Sequence, residues 1–414
     1  MKEFSGPQRG SGRITATIGI IFAVYIAVNY GLAIDLFSMV VSDMKKDMGF
    51  DYTVVGLMSA FTRGGFLTAS LISIFIIPRL GDGRTVFVSL LTCIACFWGM
   101  AATDNVWVMG SLMTLMGAAA ATIYIPMVGI VGRFVDGKYH GRLLGLICEG
   151  QSVGVMGASL LVPFCVNHYS WRWAWVGVGV FGLVVALVSF CFLKPLGVFG
   201  GNGEGGGHGK AAPVETGALM TRATLLVLAI YCLSAFSCNP FQTYLSSYLR
   251  DELGFSVDMA ARVWSCIALP GLGAGVVMGW LADRLSVGFS LVVAYVAIFL
   301  ATLILLLWPT PVLLMPAGIL FGLAFYSIFG LIPAYISKTH SPAAGVKVFA
   351  LANILHGMGG MGGNFLGGWF KESMGTFQWL YGIVLGVMVV LVILALALPR
   401  ESGTATDEAL DAGS

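Results

Sequence analysis

The sequence predicts an all-α membrane protein with twelve transmembrane helices, arranged as two six-helix bundles. Three observations lead to this fold class. The 414 residues are 58% hydrophobic and only 10% charged, whereas soluble domains carry about 25% charged residues. Apolar segments of helical length recur along the whole chain, and a polar, glycine-rich stretch interrupts them at the midpoint. The net charge of +2 gives no basic face that would indicate a nucleic-acid partner.

Each apolar segment is long enough to cross a bilayer, because about twenty residues at a helical rise of about 1.5 Å span a hydrocarbon core of about 30 Å. The first run is long enough to span, so we expect a retained helix rather than a cleaved signal peptide. The predicted spans lie near 15–40, 54–77, 85–103, 106–131, 143–166, 173–193, 223–247, 259–280, 288–308, 311–336, 346–367 and 376–398.

Basic residues concentrate on one side of this arrangement, and loops rich in Lys and Arg stay on the cytoplasmic side of a membrane. We therefore expect an integral protein of a bacterial inner membrane with both termini in the cytoplasm. The expected cytoplasmic set is Lys2, Arg9, Arg13, Arg79, Arg84, Arg133, Lys138, Arg142, Lys194, Lys210, Arg222, Arg284, Lys338, Lys347 and Arg400. The opposite set is Lys45, Lys46, Arg172, Arg250 and Lys371.

The run GVFGGNGEGGGHGKAAPVETGA at 197–218 is too rich in glycine and polar residues to pack as a helix. It falls between the sixth and seventh predicted spans. We predict an N-terminal bundle at 1–194, a flexible cytoplasmic linker at 195–222, a C-terminal bundle at 223–400 and a short acidic cytoplasmic tail at 401–414. Two halves joined in this way are typical of transporters built from repeats.

Patterns typical of enzymes and metal sites do not stand out. The eight cysteines lie in apolar runs, where Cys packs as a small hydrophobic residue. Cys93 and Cys96 form a CxxC pair without a second pair or a nearby His, which favours packing over zinc or redox chemistry. A nucleophile–base set and a phosphate-binding loop are also missing. We expect no enzyme activity, no cofactor and no metal.

Three segments carry motifs of a known family. GWLADRL at 279–285 resembles the G-x-L-A-D-R loop of the major facilitator superfamily. SWRWAW at 170–175 is similar to the aromatic start of that family's sixth helix, and 133–145 resembles the basic connection between its helices four and five. The resemblance covers the whole chain and implies the fold of that superfamily, with two pseudo-symmetric six-helix bundles.

The same resemblance implies a gate on the cytoplasmic side. In the family, the acidic residue of the loop caps a helix end and pairs with Arg, which holds one face of the transporter closed. The expected gate residues are Asp283, Arg284, Arg79 and Arg142. Because Pro78 stands where the first half should carry the family's acidic residue, we expect the stronger latch in the second half.

A finer resemblance points to the monocarboxylate and oxalate–formate branch of the superfamily. It rests on NYG at 29–31, YIP at 124–126 and GQSVG at 150–154. His356 stands at the position where some members carry a membrane-embedded Lys. The branch's Arg in the middle of helix eight has no counterpart, because Arg262 lies nearer the outer end of that span.

Arg63 is predicted near the midplane of the second span. An ionisable side chain at that depth costs a few kcal/mol and usually faces a cavity or a partner. In one interpretation Arg63 is an anion site, because guanidinium is always charged and holds carboxylates with two hydrogen bonds. In the other it forms an internal ion pair with Asp35, which lies toward the outer end of helix one and is also a candidate for a gate or for proton coupling.

Two further ionisable groups are candidates for proton coupling. His356 is predicted at comparable depth in helix eleven, which the superfamily architecture places beside helix two. It either titrates near neutral pH and binds an anion when protonated, or packs as a neutral residue. Glu149 in helix five either carries the coupled proton, as a buried carboxyl group can, or anchors a cytoplasmic gate by pairing with Arg142 or Arg133.

Uncharged polar side chains in other spans are candidates for the lining of a substrate cavity. Pro240 kinks the seventh span and frees a backbone carbonyl there. Membrane Tyr and Asn residues also serve to bond neighbouring helices. The predicted substrate-binding set is Arg63, His356, Asn29, Asn239, Tyr326, Tyr124, Gln242 and Asn353.

The resulting hypothesis is a monomeric secondary transporter, surrounded by membrane lipids, that moves a small monocarboxylate-like organic anion by alternating access with coupled protons. One alternative is a multidrug or metabolite efflux pump that exchanges protons, which the Met- and Phe-rich interior favours and Arg63 disfavours. A membrane sensor without transport activity would need a signalling domain, and the sequence shows none.

Overall fold

The computed structural model describes residues 12–135, 137–198, 220–399 and 401. In these ranges the chain forms twelve helical segments and no β-strand. They are α1 (Gly12–Ile26, Ala27–Asp35 and Leu36–Met48), α2 (Tyr52–Leu80), α3 (Asp82–Ala102), α4 (Val106–Phe134), α5 (Gly137–Cys148 and Gly150–His168), α6 (Trp171–Leu193), α7 (Arg222–Ser247 and Tyr248–Glu252), α8 (Val257–Gly271 and Ala274–Arg284), α9 (Val287–Leu307), α10 (Pro311–Thr339), α11 (Pro342–Met374) and α12 (Gln378–Leu396).

Ten of the described segments are long and apolar enough to cross a membrane, or eleven when the two parts of α8 count as one span. The remaining segment, α11, is 33 residues long, but its glycines and polar side chains, such as Asn353 and His356, lower its mean hydropathy. Each predicted span overlaps one of the twelve segments. The all-α membrane fold predicted from the sequence is therefore confirmed.

Two helices depart from the single continuous spans that were predicted. The parts of α8 meet at an angle of 47° after Gly271, because Pro270 lacks a backbone N–H and the glycines that follow tolerate a break. In α1 the central part Ala27–Asp35 is a wider π-helix, a form that often marks functional positions. Asn29 and Asp35 both lie in this part.

Polar residues begin many of the helices, because a side-chain oxygen can accept a hydrogen bond from an otherwise unpaired N–H of the first turn. At the ends of α1 and α11 the chain turns through Gly49 and Gly375, whose φ angles of 72° and 75° favour glycine. The capping residues are Asp51, Asn105, Ser170, Thr221, Ser256, Ser286 and Ser341.

The helices pack as a first half, α1–α6, and a second half, α7–α12. The halves meet mainly where α1 packs on α7, α2 on α11 and α5 on α8, which confirms the expected neighbourhood of helices two and eleven. We call the end near Asp43 and Tyr52 the latch end, and the end near Lys194 and Arg222 the linker end. The predicted linker at 195–222 lies mainly outside the described residues, as does the predicted tail apart from Glu401.

Candidate functional site

A cavity lies at the centre of the interface between the halves. Most of its lining side chains are polar, and α1, α2, α7 and α11 supply nearly all of them. Its free space admits about one water molecule, so a larger ligand requires the walls to move apart. The lining residues are Ile34, Asp35, Phe37, Ser38, Ser59, Thr62, Arg63, Met113, Asn239, Gln242, Thr243 and Asn364.

Arg63 reaches this cavity from the middle of α2, at the depth that the sequence predicts. Its Nη2 donates a hydrogen bond to Oδ1 of Asn239 on α7, with a distance of 3.2 Å. The second half therefore supplies a neutral acceptor for this cation. Among the described carboxylates, none forms an ion pair with Arg63.

Asp35 lines the same cavity from the π-helical part of α1, and only 4% of the residue is exposed. Its Oδ2 accepts a hydrogen bond of 3.0 Å from Nε2 of Gln151 on α5. Arg63 and Asp35 do not form the direct ion pair that was one of the predicted alternatives. Each is hydrogen-bonded to an amide side chain instead, Arg63 to Asn239 and Asp35 to Gln151.

Two amide nitrogens at the cavity have no hydrogen-bond partner within the described part of the chain. They are Nδ2 of Asn239 and Nε2 of Gln242, and both residues are buried. A buried donor without a partner costs about 1–3 kcal/mol. Together with Arg63, these residues place donors with incomplete hydrogen bonding beside the cavity, which suits a ligand rich in acceptors.

The predicted residue His356 lies in the second half but does not line the cavity. Its ring stacks on Tyr231, with ring centres 4.2 Å apart, and Phe329 approaches it edge-on. Its Nδ1 is 3.3 Å from the backbone carbonyl oxygen of Tyr231. This arrangement resembles the packing alternative more than the binding alternative.

Five more of the predicted residues lie outside the cavity lining. Nδ2 of Asn29 donates to the carbonyl oxygen of Tyr25, and Nδ2 of Asn353 to that of Phe349, so each amide bonds its own helix. Tyr124 contacts Cys148, and Tyr326 lies against Gly271. Glu149 stands at the junction of the two parts of α5 and forms no ion pair with a described side chain.

The predicted gate residues at the linker end contact their own half. Asp283 lies 3.7 Å from Lys338, and Arg284 stacks over Trp280. Arg79 donates to the carbonyl oxygen of Phe75 in its own helix. The side chain of Arg142 lies outside the described residues.

The linker end of the first half contains a closer ion pair, although a stronger latch was expected in the second half. Arg133 at the end of α4 lies 2.9 Å from Asp82 at the start of α3. Both groups are less exposed than Asp283, whose side chain is 82% exposed. Asp82, four positions after Pro78, therefore supplies an acidic partner at the linker end of the first half.

The latch end carries a polar cluster between the halves that the sequence reasoning missed. Arg250 at the end of α7 holds Asp43 of α1 through two hydrogen bonds of 2.6 and 2.7 Å. Lys46 lies 3.1 Å from Asp251. A signal was present, since the ends of the pseudo-equivalent helices α1 and α7 carry the complementary runs DMKKD at 43–47 and RDE at 250–252.

Tyr52 at the start of α2 connects this cluster to two helices of the second half. Its hydroxyl donates to Oδ2 of Asp251, and its backbone N–H donates to Oε1 of Glu372 in α11. Its ring packs edge-on against Tyr244 and Phe377. We call Asp43, Lys46, Tyr52, Arg250, Asp251 and Glu372 the latch cluster.

The two ends of the interface therefore differ. The first part of α5 packs mainly on α1 and α4, and the second part of α8 packs mainly on α9 and α10, so both linker-side parts stay with their own half. The ion pairs that the described residues form at the linker end likewise each stay within one half. The contacts between the halves that involve charged groups therefore lie at the latch end, whereas the described ion pairs at the linker end do not cross the interface.

Comparisons with known proteins agree with this architecture. Residues 18–363 match the family model of the Major Facilitator Superfamily. The crystal structure of a mutant of the nucleoside transporter NupG superposes with a TM-score of 0.73 at 14% identity, over 92% of this chain and 99% of that chain.

Three curated relatives are transport proteins. The cis,cis-muconate transport protein of Acinetobacter baylyi is 23% identical over 358 residues, 82% of this chain and 84% of the relative. Monocarboxylate transporter 12-B of Danio rerio is 25% identical, over 67% of this chain and 64% of its own. The multi-drug resistance efflux pump PmrA of Streptococcus pneumoniae is 25% identical, over 65% and 67%. The chain belongs to the Major Facilitator Superfamily and is an integral membrane transporter of that family.

Proposed function

We propose that this protein carries a small organic anion across the bacterial inner membrane by alternating access and couples the transport to protons. The observation that carries the proposal is Arg63, a cation at the wall of a cavity between the halves that has a neutral amide rather than a carboxylate as its partner. A transported anion supplies the missing negative charge.

The chemistry of the site favours a carboxylate over other polar ligands. Guanidinium donates two parallel hydrogen bonds to a carboxylate, and such charge-assisted bonds are roughly twice as strong as neutral ones. The unpartnered nitrogen of Gln242 adds a third donor from the opposite half. A small acid held between Arg63 and Gln242 would therefore contact both halves.

The names of two relatives support the same substrate class. Muconate carries two carboxylates, and the vertebrate relative is named a monocarboxylate transporter. Their shared chemistry is the carboxylate group, which is the group that Arg63 binds best.

For the coupled proton we propose Asp35 rather than His356 or Glu149. Asp35 lines the cavity beside Arg63, whereas the other two residues do not line it. An anion entering next to an ionised Asp35 is repelled, and protonation of that carboxyl group removes the repulsion. Proton and anion therefore favour each other's binding, which is the requirement for symport.

The proposed orientation follows from the loop charges. If the linker end faces the cytoplasm, as the distribution of Lys and Arg predicts, the structure is open to the cytoplasm and closed outside by the latch cluster. Transport then requires this cluster to separate while the linker end closes.

The experiment is uptake of radiolabelled cis,cis-muconate and L-lactate into proteoliposomes under an imposed proton gradient. We expect Arg63→Ala to abolish uptake and Arg63→Lys to retain a small part of it, because Lys keeps the charge without the planar fork. Arg262→Ala, which removes an exposed arginine of α8, is the matched control. Unchanged uptake in Arg63→Ala contradicts the anion site.

Asp35→Asn tests the coupling separately. We expect this variant to exchange labelled for unlabelled acid but to lose the response to the proton gradient, because the neutral amide mimics the protonated carboxyl group. A gradient response equal to that of the wild type excludes Asp35 as the coupling residue.

The alternative is an efflux pump for amphipathic compounds, which the similarity to PmrA favours. The small, mostly polar cavity speaks against it, since amphipathic drugs need extended apolar walls. Drug susceptibility of cells that express the protein separates the two functions.

A further inference from the structure

The contact between Arg63 and Asn239 fixes which end of the amide faces the guanidinium. Arginine has only N–H donors and no acceptor, so the atom that lies 3.2 Å from its Nη2 must be the carbonyl oxygen of Asn239. The Asn239 oxygen therefore takes a hydrogen-bonding position on Arg63 that an oxygen of a bound carboxylate could take in its place.

The other end of the same amide is poorly placed. Nδ2 of Asn239 is buried without a hydrogen-bond partner among the described residues. It lies against Gly360 of α11 so closely that a Cβ at that position would be 2.1 Å from Nδ2. The amide is therefore wedged between Arg63 and a helix backbone, and only one of its two polar ends is satisfied.

We propose that the side-chain carbonyl of Asn239 stands in for a substrate carboxylate at Arg63 and is displaced when the substrate binds. This inference rests on the proposed anion site. A carboxylate brings a full charge and two acceptors to the guanidinium, whereas the amide brings one neutral acceptor. The exchange also releases Nδ2 of Asn239 from a buried position in which it has no hydrogen-bond acceptor among the described residues.

Displacement changes the contact between the halves. Among the described cavity-lining residues, the Arg63–Asn239 bond is the hydrogen bond that joins α2 of the first half to α7 of the second. Substrate binding replaces this direct bond by contacts that run through the ligand. Gly360 permits the arrangement, because any larger residue there would push the amide away.

The test measures binding of acetate and cis,cis-muconate to the purified full-length protein by calorimetry. Asn239→Leu and Asn239→Ala remove the competing acceptor, so we expect both to bind the probes about tenfold more tightly than the wild type. Asn239→Asp puts a permanent carboxylate beside Arg63 and should weaken binding at least tenfold. Ser237→Ala is the control, because the Ser237 hydroxyl lies on the same helix and donates to backbone carbonyls of that helix.

The outcomes separate this inference from the proposed function. Tighter binding in either neutral variant supports the stand-in, because loss of an ordinary ligand or of local structure would weaken binding. If the wild type binds the probes and both neutral variants bind equally or more weakly, the stand-in is overturned while the anion site remains. If neither probe binds to the wild type or to any variant, both proposals are overturned.

Discussion

Charged residues join the two halves at the latch end, whereas residues of the same types pair within one half at the linker end. At the latch end, Asp43, Tyr52 and Lys46 of the first half bond Arg250 and Asp251 of the second. At the linker end, the ion pairs Asp82–Arg133 and Asp283–Lys338 each stay within one half. The two ends thus differ in whether their charged residues find partners in the opposite half or in their own.

Glycines mark the same difference in the packing. At the latch end, a Cβ on Gly368 of α11 would lie 2.0 Å from the backbone oxygen of Tyr52 in the other half. At the linker end, nothing lies within 4 Å of such a Cβ on Gly273, Gly275 or Gly279 of α8. Backbones of the two halves touch at one end, and space surrounds the corresponding glycines at the other.

The largest expected effect is that of Arg250→Ala, which breaks the bidentate pair with Asp43. The side chains of Arg250 and Asp43 are only 9% and 17% exposed, so leaving the Asp43 carboxylate unpaired costs about 3 kcal/mol. This cost shifts the equilibrium between the conformation with the latch end closed and the conformation with it open roughly 100-fold toward the latter. We expect the distance between spin labels at Leu146 and Val277, on the linker-side parts of α5 and α8, to shorten.

Two further variants decide whether the charge pair itself is responsible. Arg262→Ala removes an exposed arginine of the same half and should leave the distance unchanged. Exchanging the two charges, with Asp43→Arg and Arg250→Asp together, should restore the wild-type distance. A distance in Arg250→Ala equal to that of the wild type would show that the latch cluster does not hold this end closed.

Gly368→Ala attacks the packing at the latch end without changing a charge. Its added methyl group meets the backbone oxygen of Tyr52, which cannot rotate away, so overpacking should cost about 1–3 kcal/mol. We expect the label distance to shorten as in Arg250→Ala. Gly275→Ala on α8 meets open space and should be neutral or slightly stabilising, by up to about 1 kcal/mol. If Gly368→Ala and Gly275→Ala change the label distance equally, the latch end is not packed more tightly than the linker end.

The fold was predictable because span length, apolar composition and the position of the linker are local properties of the sequence. The cavity was predictable in part. Arg63, Asn239 and Gln242 line it as expected of substrate-binding candidates, because polar residues inside apolar helices attract attention. Asp35 also lines it, although it was expected at a gate, in an ion pair or as a proton carrier. His356 shares that property but packs on Tyr231 outside the lining, since the direction of a side chain depends on neighbouring helices.

The latch cluster shows a different limit of sequence reasoning. Its members lie at helix ends, where charged residues are ordinary, so neither Arg250 nor Asp43 stood out by depth. Their pairing depends on the approach of α1 to α7 across the interface, which no local pattern contains. The same limit applies to Ser59 and Asn364, which line the cavity although their types are common in membrane helices.

Tyr52→Phe is expected to have an intermediate effect. It removes one hydrogen bond to the carboxylate of Asp251 and keeps the ring contacts with Tyr244 and Phe377. A bond to a charged group contributes about 1.5 kcal/mol, so its loss should raise the population of the alternative state roughly tenfold. The spin-label distance should shorten accordingly. Tyr335→Phe is the matched control, because its hydroxyl bonds Pro399 within the second half at the linker end. A larger shift in Tyr335→Phe would contradict the assignment of the latch.

The smallest expected effect is that of Asp283→Asn, in the loop whose motif led us to expect the stronger latch. The Asp283 side chain is 82% exposed, and its partner Lys338 belongs to the same half at 3.7 Å, so the pair is worth at most about 1 kcal/mol. Removing it does not change the contact between the halves in this conformation, and the label distance between Leu146 and Val277 should stay the same. Asp82→Asn, at the less exposed pair of the first half, is the matching variant and should also act within its own half. A change in Asp283→Asn as large as that in Arg250→Ala would mean that this loop reaches the opposite half when the linker end closes, and that both ends are held by charges in turn.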